Sequence, residues 1–422
     1  MGEGCNDRQR SCLTYLASIP EGLALGFFCA SHGGAMMGIE IEISRAVDLQ
    51  WMNRALAVAS RARGRTAPNP PVGAVLVRDG VVVGEGWTER PGERHAEIMA
   101  LDQAGPQARG ATLYVTLEPC AHFGRTPPCT DALVDAGITR AVISVRDPYP
   151  QVDGRGIAHL SRNGIRVDLG LGAREAARIN AGFFKRIRTG LPEVTAKFAM
   201  SLDGKIATHT GHARWITGPE ARREAHRLRD THDAILVGLG TVLADDPRLT
   251  TRLPEAEAGV GGPSHPLRVV VDSRARIPLT SAMLQPGMPG ETLVVTTDHA
   301  PFRAACALQA AGAEVMVLPP RDGRVDLTVL LQELGRRGIN RVLVEGGGAL
   351  LGSFFSAGLL DRVVAFIAPV IIGGDGAPAP IGGDGVDTMD DALRLGNVEV
   401  RRFGQDLAIS GTLSGIYEPE AV

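Results

Sequence analysis

Four side chains in the first third of the sequence have the types and the spacing of a catalytic zinc site. His95 and Glu97 are separated by one residue. Cys120 follows a proline, and Cys129 comes nine positions later. Zinc binds imidazole nitrogen and thiolate sulfur in a tetrahedron, and a catalytic site leaves the fourth position to water. The histidine and the cysteines therefore supply three ligands, and Glu97 is left free to move a proton from the attacking water to a departing amine.

The order of these residues is the signature of zinc-dependent deaminases that act on nucleobases. In that signature two residues separate the cysteines, whereas eight residues separate Cys120 from Cys129. The intervening residues 121–128 predict a longer loop over the site, which can recognise something other than a bare cytosine. Either motif alone is compatible with ordinary core residues, but the combination in this order favours a metal site.

The patterns around these residues predict an α/β domain. The predicted elements are a helix from Leu49, a β-hairpin over 72–84, a helix from His95, a strand over 111–117, a helix over 130–136 and a strand over 141–145. Prolines at 68, 70 and 71 stop the first helix, and the Asp79-Gly80 turn marks the hairpin. This order predicts a three-layer domain that ends near residue 190.

The second half alternates apolar strands with helices, which predicts a mostly parallel sheet flanked by helices. Strands are predicted over 193–200, 234–238, 267–271, 291–296, 341–345 and 363–372, and helices over 219–229, 302–311 and 327–337. The Pro/Gly-rich residues 255–266 are predicted to form a surface insertion. No Gly-x-Gly-x-x-Gly follows the first strand. The strand that ends in Gly346-Gly347-Gly348 leaves two readings open, a tight turn or a pyrophosphate site at a helix N-terminus.

Length and composition restrict the class of protein. A chain of 422 residues exceeds one usual hydrophobic core, so two domains are expected. The net charge of -3 gives no basic excess for nucleic acid, although a small anionic substrate remains compatible. Six scattered cysteines fit a reducing cytosol, and no apolar run is long enough to predict a transmembrane helix. We therefore expect a cytoplasmic protein without nucleic-acid or membrane partners.

Residues 1–44 are excluded from the predicted fold. They read as a disordered leader or as a start codon placed too early, with Met36 or Met37 as the true start. A targeting signal is the less favoured alternative, because the apolar stretch near Leu23 is short and Pro20 interrupts its approach.

The motifs of both halves together resemble the bifunctional deaminase–reductase family of riboflavin biosynthesis. The matching segments are PNPPVG at 68–73, HAE at 95–97, TLEPC at 116–120, GRTPPC at 124–129, DP at 147–148, SLDG at 201–204, WIT at 215–217, TVLADDP at 241–247 and VEGG at 344–347. The likeness covers residues 50–415. It implies a cytidine-deaminase-like domain over 45–190, which removes the 2-amino group of a diaminopyrimidinone carrying a phosphoribosylamino group. A dihydrofolate-reductase-like domain over 191–422 would then reduce the ribosyl chain to ribityl, with Zn²⁺ and NADPH as the cofactors and a dimer or tetramer as the assembly.

The resemblance also implies residue roles in the second half. The NADPH contacts would come from Ala199, Trp215, Thr241, Asp245, Ser273 and the turn formed by Gly347, Gly348, Ala349, Leu350, Leu351, Gly352 and Ser353. The substrate contacts would come from Asn69, Ala213, Arg229, Leu249, Arg252 and Glu345. A pair of arginines suits a phosphate monoester. Several relatives have serine at the position of Ala213, and alanine cannot donate that hydrogen bond.

For some of these residues, the sequence without the resemblance also allows a purely structural role. Trp215 also reads as a core residue, Arg229 as a solvated helix residue and Asn69 as a turn residue. The proton donor for the reduction is left open between Glu345 and Asp245.

Two other functions fit parts of the sequence but are disfavoured. A nucleoside or tRNA deaminase with an unrelated second domain is disfavoured by the near-neutral charge and the long cysteine loop. A zinc-stabilised NADP sensor without turnover is disfavoured by Glu97, because a structural zinc site needs no spare proton carrier.

Overall fold

The computed structural model describes residues 33–124 and 126–413. Its first element, α1 (Gly33–Arg61), contains the helix predicted from Leu49 and begins earlier in the chain. Residues 33–44 of the predicted leader belong to this helix, whereas residues 1–32 lie outside the described residues, as does Arg125 of the cysteine loop. The expectations about the start of the chain therefore stay predictions.

The rest of the first half follows the predicted order of helices and strands. After α1 come β1 (Gly73–Arg78), β2 (Val81–Trp87), α2 (Ala96–Ala104), β3 (Thr112–Val115), α3 (Cys129–Ala136), β4 (Arg140–Ile143), α4 (Arg155–Arg162), β5 (Arg166–Leu169), α5 (Ala173–Ile179) and α6 (Ala181–Thr189). Sequence patterning did not predict the last four elements. Each has nine residues or fewer, which is too short for a clear hydrophobic period.

Within the described residues, this half forms a five-stranded sheet in the order β2-β1-β3-β4-β5. β1 pairs antiparallel with β2 and β3, while β3, β4 and β5 run parallel. The β1–β2 hairpin turns at Asp79 and Gly80, whose φ angles are 50° and 75°. Positive φ at both turn residues is what a two-residue hairpin requires. The predicted hairpin is confirmed.

Two glycines of β2 set the position of α2, the helix that begins with the His-x-Glu motif. A Cβ on Gly84 would lie 2.1 Å from the carbonyl oxygen of Ala100, and one on Gly86 would lie 2.2 Å from that of Ala96. Any side chain at these positions would push the helix off the sheet, since real Cβ atoms do not approach oxygen so closely. The glycines therefore let α2 lie directly against β2.

The second half is an alternation of strands and helices, as predicted. Its elements are β6 (Glu193–Ser201), α7 (Pro219–Asp230), β7 (Ala234–Gly238), α8 (Leu239–Asp245), β8 (Leu267–Val271), β9 (Thr292–Thr297), α9 (Phe302–Ala310), β10 (Glu314–Leu318), β11 (Pro320–Arg321), β12 (Arg324–Val325), α10 (Leu327–Arg336), β13 (Arg341–Val344), α11 (Gly348–Ser356), β14 (Arg362–Ala368), β15 (Gly396–Phe403) and β16 (Asp406–Thr412). In the described chain, the main sheet has nine strands in the order β10-β9-β8-β7-β13-β6-β14-β16-β15. Strands β10 to β14 along this order are parallel, and β16 and β15 are added antiparallel.

Two expectations about the second half need correction. The strand expected over 363–372 ends at Ala368, because the chain turns through irregular backbone beyond it. Residues 255–266 are not a free surface insertion. The Val260 amide donates to the carbonyl oxygen of Arg61 at 3.0 Å, so this segment packs against the end of α1.

The described residues of both halves, from Asp48 onward, belong to one compact unit. One apolar cluster fills the first sheet and its helices, and other clusters lie on the faces of the second sheet. Among the described helices, none is long and apolar enough to cross a membrane.

Candidate functional site

The three predicted zinc ligands come together from two helix N-termini and one loop. His95 is the N-cap of α2, Cys129 is the first residue of α3, and Cys120 lies in the loop after β3. The Nδ1 atom of His95 lies 3.2 Å from Cys129 Sγ and 3.6 Å from Cys120 Sγ. The ligand atoms of the three residues all lie within 4.8 Å of one another. One nitrogen and two sulfurs at this separation fit a single zinc ion with an open fourth position.

The surroundings of Cys120 favour its thiolate. The backbone N–H of Cys129, at the start of α3, donates to Cys120 Sγ at 3.3 Å. Hydrogen bonds from the Cys129 thiol and then from His95 lower the pKa of the Cys120 thiol to about 4, against the opposing effect of burial. The thiolate is the form of cysteine that binds a metal.

Glu97 lies beside the ligands in the first turn of α2 and is only 4% exposed. Burial raises the pKa of its carboxyl to about 7, and the nearby His95 opposes this only in part. A carboxyl whose pKa lies near neutrality can both accept and release a proton at neutral pH.

His95, Cys120 and Glu97 line a cavity of about 380 Å³. This volume is typical of a small-molecule site. Asn69, predicted to bind the pyrimidine, lines the cavity, as do His122 of the cysteine loop and Arg186 of α6. The Nδ1 atom of His122 is enclosed and has no hydrogen-bond partner among the described residues. It is therefore available to a ligand.

Glu118, two residues before Cys120, has a structural role. Its buried carboxylate accepts hydrogen bonds from the amides of Gly154 at 2.9 Å, Ile157 at 3.1 Å and Asp147 at 3.2 Å. These bonds fasten the loop that carries Cys120 to the segment that enters α4. The glutamate of the TLEPC motif thus positions a metal ligand from outside the coordination sphere.

A second cluster of charged side chains lies at the carboxyl end of β13 in the second sheet. Arg229 binds Glu345 with two parallel hydrogen bonds, Nε to Oε1 at 2.9 Å and Nη2 to Oε2 at 2.8 Å. The Nζ atom of Lys197, on β6, lies 3.8 Å from Glu345 Oε2. Burial alone would raise the pKa of Glu345, but Arg229 and Lys197 outweigh it and lower that pKa to about 2. Burial lowers the pKa of Lys197.

The segment 249–252 adds a second arginine to this cluster. Arg229 Nη1 donates to the carbonyl oxygen of Thr250 at 3.2 Å, and the Arg252 amide donates to His226 Nδ1 at 3.3 Å. Burial, followed by Arg229 and Arg252, lowers the pKa of His226 to about 4, so this imidazole is neutral at pH 7. The side chain of Leu249 is buried in the core beside them. The structure therefore brings Arg229, Leu249, Arg252 and Glu345 close together, and their role in binding substrate stays a prediction.

The predicted cofactor residues lie near this cluster in two groups. A Cβ on Gly347 would lie 4.0 Å from Thr241 Oγ1, so the glycine turn and α8 are adjacent. Arg214 Nη2 donates to the carbonyl oxygen of Asp245 at 2.6 Å, which ties α8 to the segment containing Ala213 and Trp215. Trp215 is 71% exposed with the Arg222 guanidinium 4.5 Å from its ring centroid, so it is not a core residue.

The glycines of α11 have a packing reason. A Cβ on Gly352 would lie 2.1 Å from the oxygen of Gly382, and one on Gly348 would lie 2.6 Å from that of Ala379. Of the other predicted cofactor residues, Leu351 is fully buried and Ala199 is half-buried on β6. Leu350 packs against Gly346, and the Ser353 hydroxyl donates a hydrogen bond to the carbonyl oxygen of Ala349. The hydroxyl oxygen of Ser273 accepts a hydrogen bond from the Val325 amide. Ser273 is thus held by the β12 segment.

Sequence reasoning missed Lys197, His226, His122 and Arg186. A lysine in the middle of a largely buried strand was a usable signal for Lys197. Nothing local marks His226 or Arg186, because both lie on amphipathic helices where charged residues are ordinary.

Comparison with known proteins identifies both halves. Residues 192–409 match the family model described as "RibD C-terminal domain", and residues 45–145 match "Cytidine and deoxycytidylate deaminase zinc-binding region". The chain belongs to the RibD family. It is 43% identical over 368 residues to riboflavin biosynthesis protein RibD of Escherichia coli K12, which covers 86% of this chain and 98% of the relative. The RibD protein of Aquifex aeolicus is 42% identical over 365 residues, with the same coverage.

Solved structures of RibD proteins share the architecture. RibD of Acinetobacter baumannii is similar with a TM-score of 0.77 and 38% identity, covering 88% of this chain and 99% of that one. A diaminohydroxyphosphoribosylaminopyrimidine deaminase/5-amino-6-(5-phosphoribosylamino)uracil reductase from Thermotoga maritima has a TM-score of 0.77 and 32% identity, covering 88% and 100%.

These findings confirm the predictions about class. The chain is an α/β enzyme with a cytidine-deaminase-like domain followed by a reductase domain of the dihydrofolate-reductase-like type. As a RibD-family member it combines a zinc-dependent deaminase and an NADPH-dependent reductase of riboflavin biosynthesis. The alternatives of a nucleoside deaminase with an unrelated domain and of a sensor without turnover are wrong, because the RibD match spans both halves.

Proposed function

We propose that the zinc-centred cavity and the Glu345 cluster are the two active sites of successive reactions. The first removes the 2-amino group of 2,5-diamino-6-(5-phosphoribosylamino)pyrimidin-4(3H)-one as ammonia. The second reduces the ribosyl side chain and gives 5-amino-6-(5-phosphoribitylamino)uracil. The observation that carries the proposal is the convergence of His95, Cys120 and Cys129 beside the buried Glu97, in a cavity that Asn69 also lines.

In the deamination, Glu97 moves the proton. His95, Cys120 and Cys129 would hold the zinc ion, which when bound would lower the pKa of water and make it a nucleophile at neutral pH. As the water oxygen adds to C2 of the pyrimidine, Glu97 takes its proton and then delivers it to the 2-amino nitrogen, whose bond to C2 breaks. Asn69 holds the ring by hydrogen bonds from its side-chain amide.

In the reduction, bound NADPH would provide the hydride that adds to C1 of the ring-opened sugar imine. The imine nitrogen then needs a proton. Glu345 is a poor source, because its pKa of about 2 keeps it ionised. We assign the proton to Lys197, whose pKa is lowered by burial and whose ammonium group lies beside Glu345. Arg229 and Arg252 provide positive charge for the substrate phosphate.

The remaining assignments complete the proposal. The deaminase domain occupies residues 45–190, the reductase domain occupies residues 191–422, and the enzyme is a cytoplasmic homo-oligomer, either a dimer or a tetramer. Ala213 belongs to the proposed substrate site without the hydrogen bond that a serine would donate. The proposed NADPH contacts are Ala199, Trp215, Thr241, Asp245, Ser273 and residues 347–353. Light scattering of the eluted peak in size-exclusion chromatography tests the assembly, and a monomeric mass would contradict it.

Mass spectrometry of the reaction products tests the order of the two steps. With the diaminopyrimidinone alone, we expect ammonia and the deaminated ribosyl compound to accumulate. Added NADPH should then convert this compound to the ribityl product. Deamination of cytidine in preference to the diaminopyrimidinone would overturn the substrate assignment.

A further inference from the structure

The loop that carries Asn69 is held by a side chain of the C-terminal half. The Nδ2 atom of Asn340 lies 3.4 Å from the carbonyl oxygens of both Pro68 and Asn69. Its Oδ1 atom accepts a hydrogen bond from Arg186 Nε at 2.6 Å, and Arg186 Nη2 donates to Pro68 O at 2.7 Å. Arg186 has only donors, so the orientation of the Asn340 amide between it and the two carbonyls is fixed.

The loop that carries Asn69 packs closely against the segment that contains Asn340. Asn340 is 5% exposed. A Cβ on Gly338, two residues earlier, would lie 2.7 Å from Pro68 Cβ. On the other side, the Asn69 amide donates to Thr66 O at 2.8 Å and Thr66 Oγ1 donates to Asn69 O at 3.0 Å. The backbone of Asn69 is therefore fixed from both sides, which leaves its side chain to face the cavity.

The two clamping residues also connect the two sites. Arg186 lines the zinc cavity. Asn340 directly precedes β13, and Glu345 directly follows it. The short strand β13 is thus flanked by Asn340, which contacts the loop of the zinc cavity, and by Glu345 of the charged cluster.

We propose that Asn340, with Arg186, is a positioning residue for the deaminase substrate, so that the C-terminal half completes the substrate site of the N-terminal half. This inference rests on the proposed role of Asn69 in binding the pyrimidine. Asn340 touches neither the zinc ligands nor Glu97 in the described contacts. Its loss therefore weakens substrate binding and leaves the chemical step intact.

The test compares steady-state deamination by the zinc-loaded full chain and its variants. Asn340→Asp replaces the Nδ2 donor with an oxygen that faces two carbonyl oxygens. We expect KM for the diaminopyrimidinone to rise roughly tenfold and kcat to change by less than about threefold, as for a loss of uniform binding. Should this variant not fold, Arg186→Lys gives the second reading, because an ammonium group cannot bridge Asn340 and Pro68 as the guanidinium does.

Lys185→Met is the matched control. Lys185 precedes Arg186 on α6, and its Nζ lies 2.5 Å from Asp361 Oδ2 in the second half. The ion pair joins the same two parts of the molecule and does not touch the Asn69 loop. We expect its thermal stability to fall and its KM for deamination to stay within about twofold of wild type.

A double-mutant cycle with Asn69→Ala separates this inference from the proposed function. If Asn340 acts through Asn69, Asn340→Asp raises KM by less than about twofold in the Asn69→Ala background. An unchanged KM in Asn340→Asp, or an equal rise in Lys185→Met, overturns the positioning role while wild-type deamination stands. A KM unchanged by Asn69→Ala overturns the proposed role of Asn69 and this inference with it. Failure of the zinc-loaded wild type to deaminate overturns the proposed function itself.

Discussion

Glu97 and Lys197 are the two side chains that we propose to transfer protons, Glu97 in the deamination and Lys197 in the reduction. Glu97 is buried and the side chain of Lys197 is 16% exposed. Each lies beside groups that fix its surroundings: the zinc ligands for Glu97, and the Arg229–Glu345 pair for Lys197. Glu97 is on α2 in the first half, whereas Lys197 is on β6 in the second half. Substituting either residue should therefore affect one reaction and spare the other.

Glu97→Gln keeps the size and the hydrogen-bonding capacity of the side chain but cannot carry a proton. We expect kcat for deamination to fall by about 10² to 10⁴, the usual contribution of a general acid–base residue. Bound zinc, measured by atomic absorption, and NADPH oxidation on the deaminated intermediate should be unchanged. Glu93→Gln, at an exposed position before α2, is the control. Undiminished deamination in Glu97→Gln would refute the assigned base.

Lys197→Met removes the proposed proton donor of the reduction and retains the length of the side chain. We expect kcat for NADPH oxidation to fall by about 10² or more, with deamination unchanged. In the wild type a donor must be protonated, so the reduction rate should fall as pH rises through the pKa of Lys197. Because burial lowers that pKa, the fall should begin below the ordinary range of lysine. A pH profile of Lys197→Met with the wild-type shape would contradict the role.

The zinc site was easier to predict from the sequence than the Glu345 cluster, because its residues lie close together in the chain. His95 and Glu97 share one helix start, and Cys120 and Cys129 flank one loop, so short-range spacing already indicates metal chemistry. Lys197 is on β6, Arg229 is on α7 and Glu345 follows β13, so the three meet only through the tertiary arrangement of the second half. No local pattern encodes that meeting, and the family resemblance supplied Arg229 and Glu345 but not Lys197.

At the scale of elements, the zinc site depends on how closely α2 lies against β2. Gly86→Ala would place a Cβ 2.2 Å from the carbonyl oxygen of Ala96, at the start of the helix that carries His95 and Glu97. We expect about 1–3 kcal/mol lower stability and weaker zinc retention, since overpacking shifts the backbone. Denaturant unfolding and a zinc competition assay measure both. Gly240→Ala, a helical position with open space around its Cβ, should leave stability unchanged.

Helices and strands with a clear hydrophobic pattern or a complete turn motif were predictable from the sequence, whereas short elements were not. The Asp-Gly hairpin, β6 and α10 match their predicted positions closely. The terminal strands β15 and β16 were missed because they are exposed or irregular in polarity, so alternation of buried residues gives little signal. Their place at one end of the sheet is set by pairing with β14, which is a tertiary contact.

At the scale of the molecule, a largely buried ion pair joins the segment that follows α1 to the second half. Arg65 Nη2 lies 2.9 Å from both carboxylate oxygens of Asp230, and the two side chains are 11% and 4% exposed. Arg65→Met would leave a buried carboxylate without its cation, so we expect a loss of about 3–5 kcal/mol in the free energy of unfolding. Arg61→Met, at an exposed position four residues earlier, should change it by less than about 0.5 kcal/mol. Equal stability of the two variants would show that the pair does not hold these parts together.

We propose that this chain has two active sites, and that only the deaminase site needs zinc. The most direct test measures ammonia release from the diaminopyrimidinone and NADPH oxidation on the separately supplied deaminated intermediate, before and after zinc removal with a chelator. We expect ammonia release to be lost and to return with added zinc, while NADPH oxidation continues throughout. Ammonia release that survives complete zinc removal, or NADPH oxidation that disappears with the metal, would contradict the assignment of the sites.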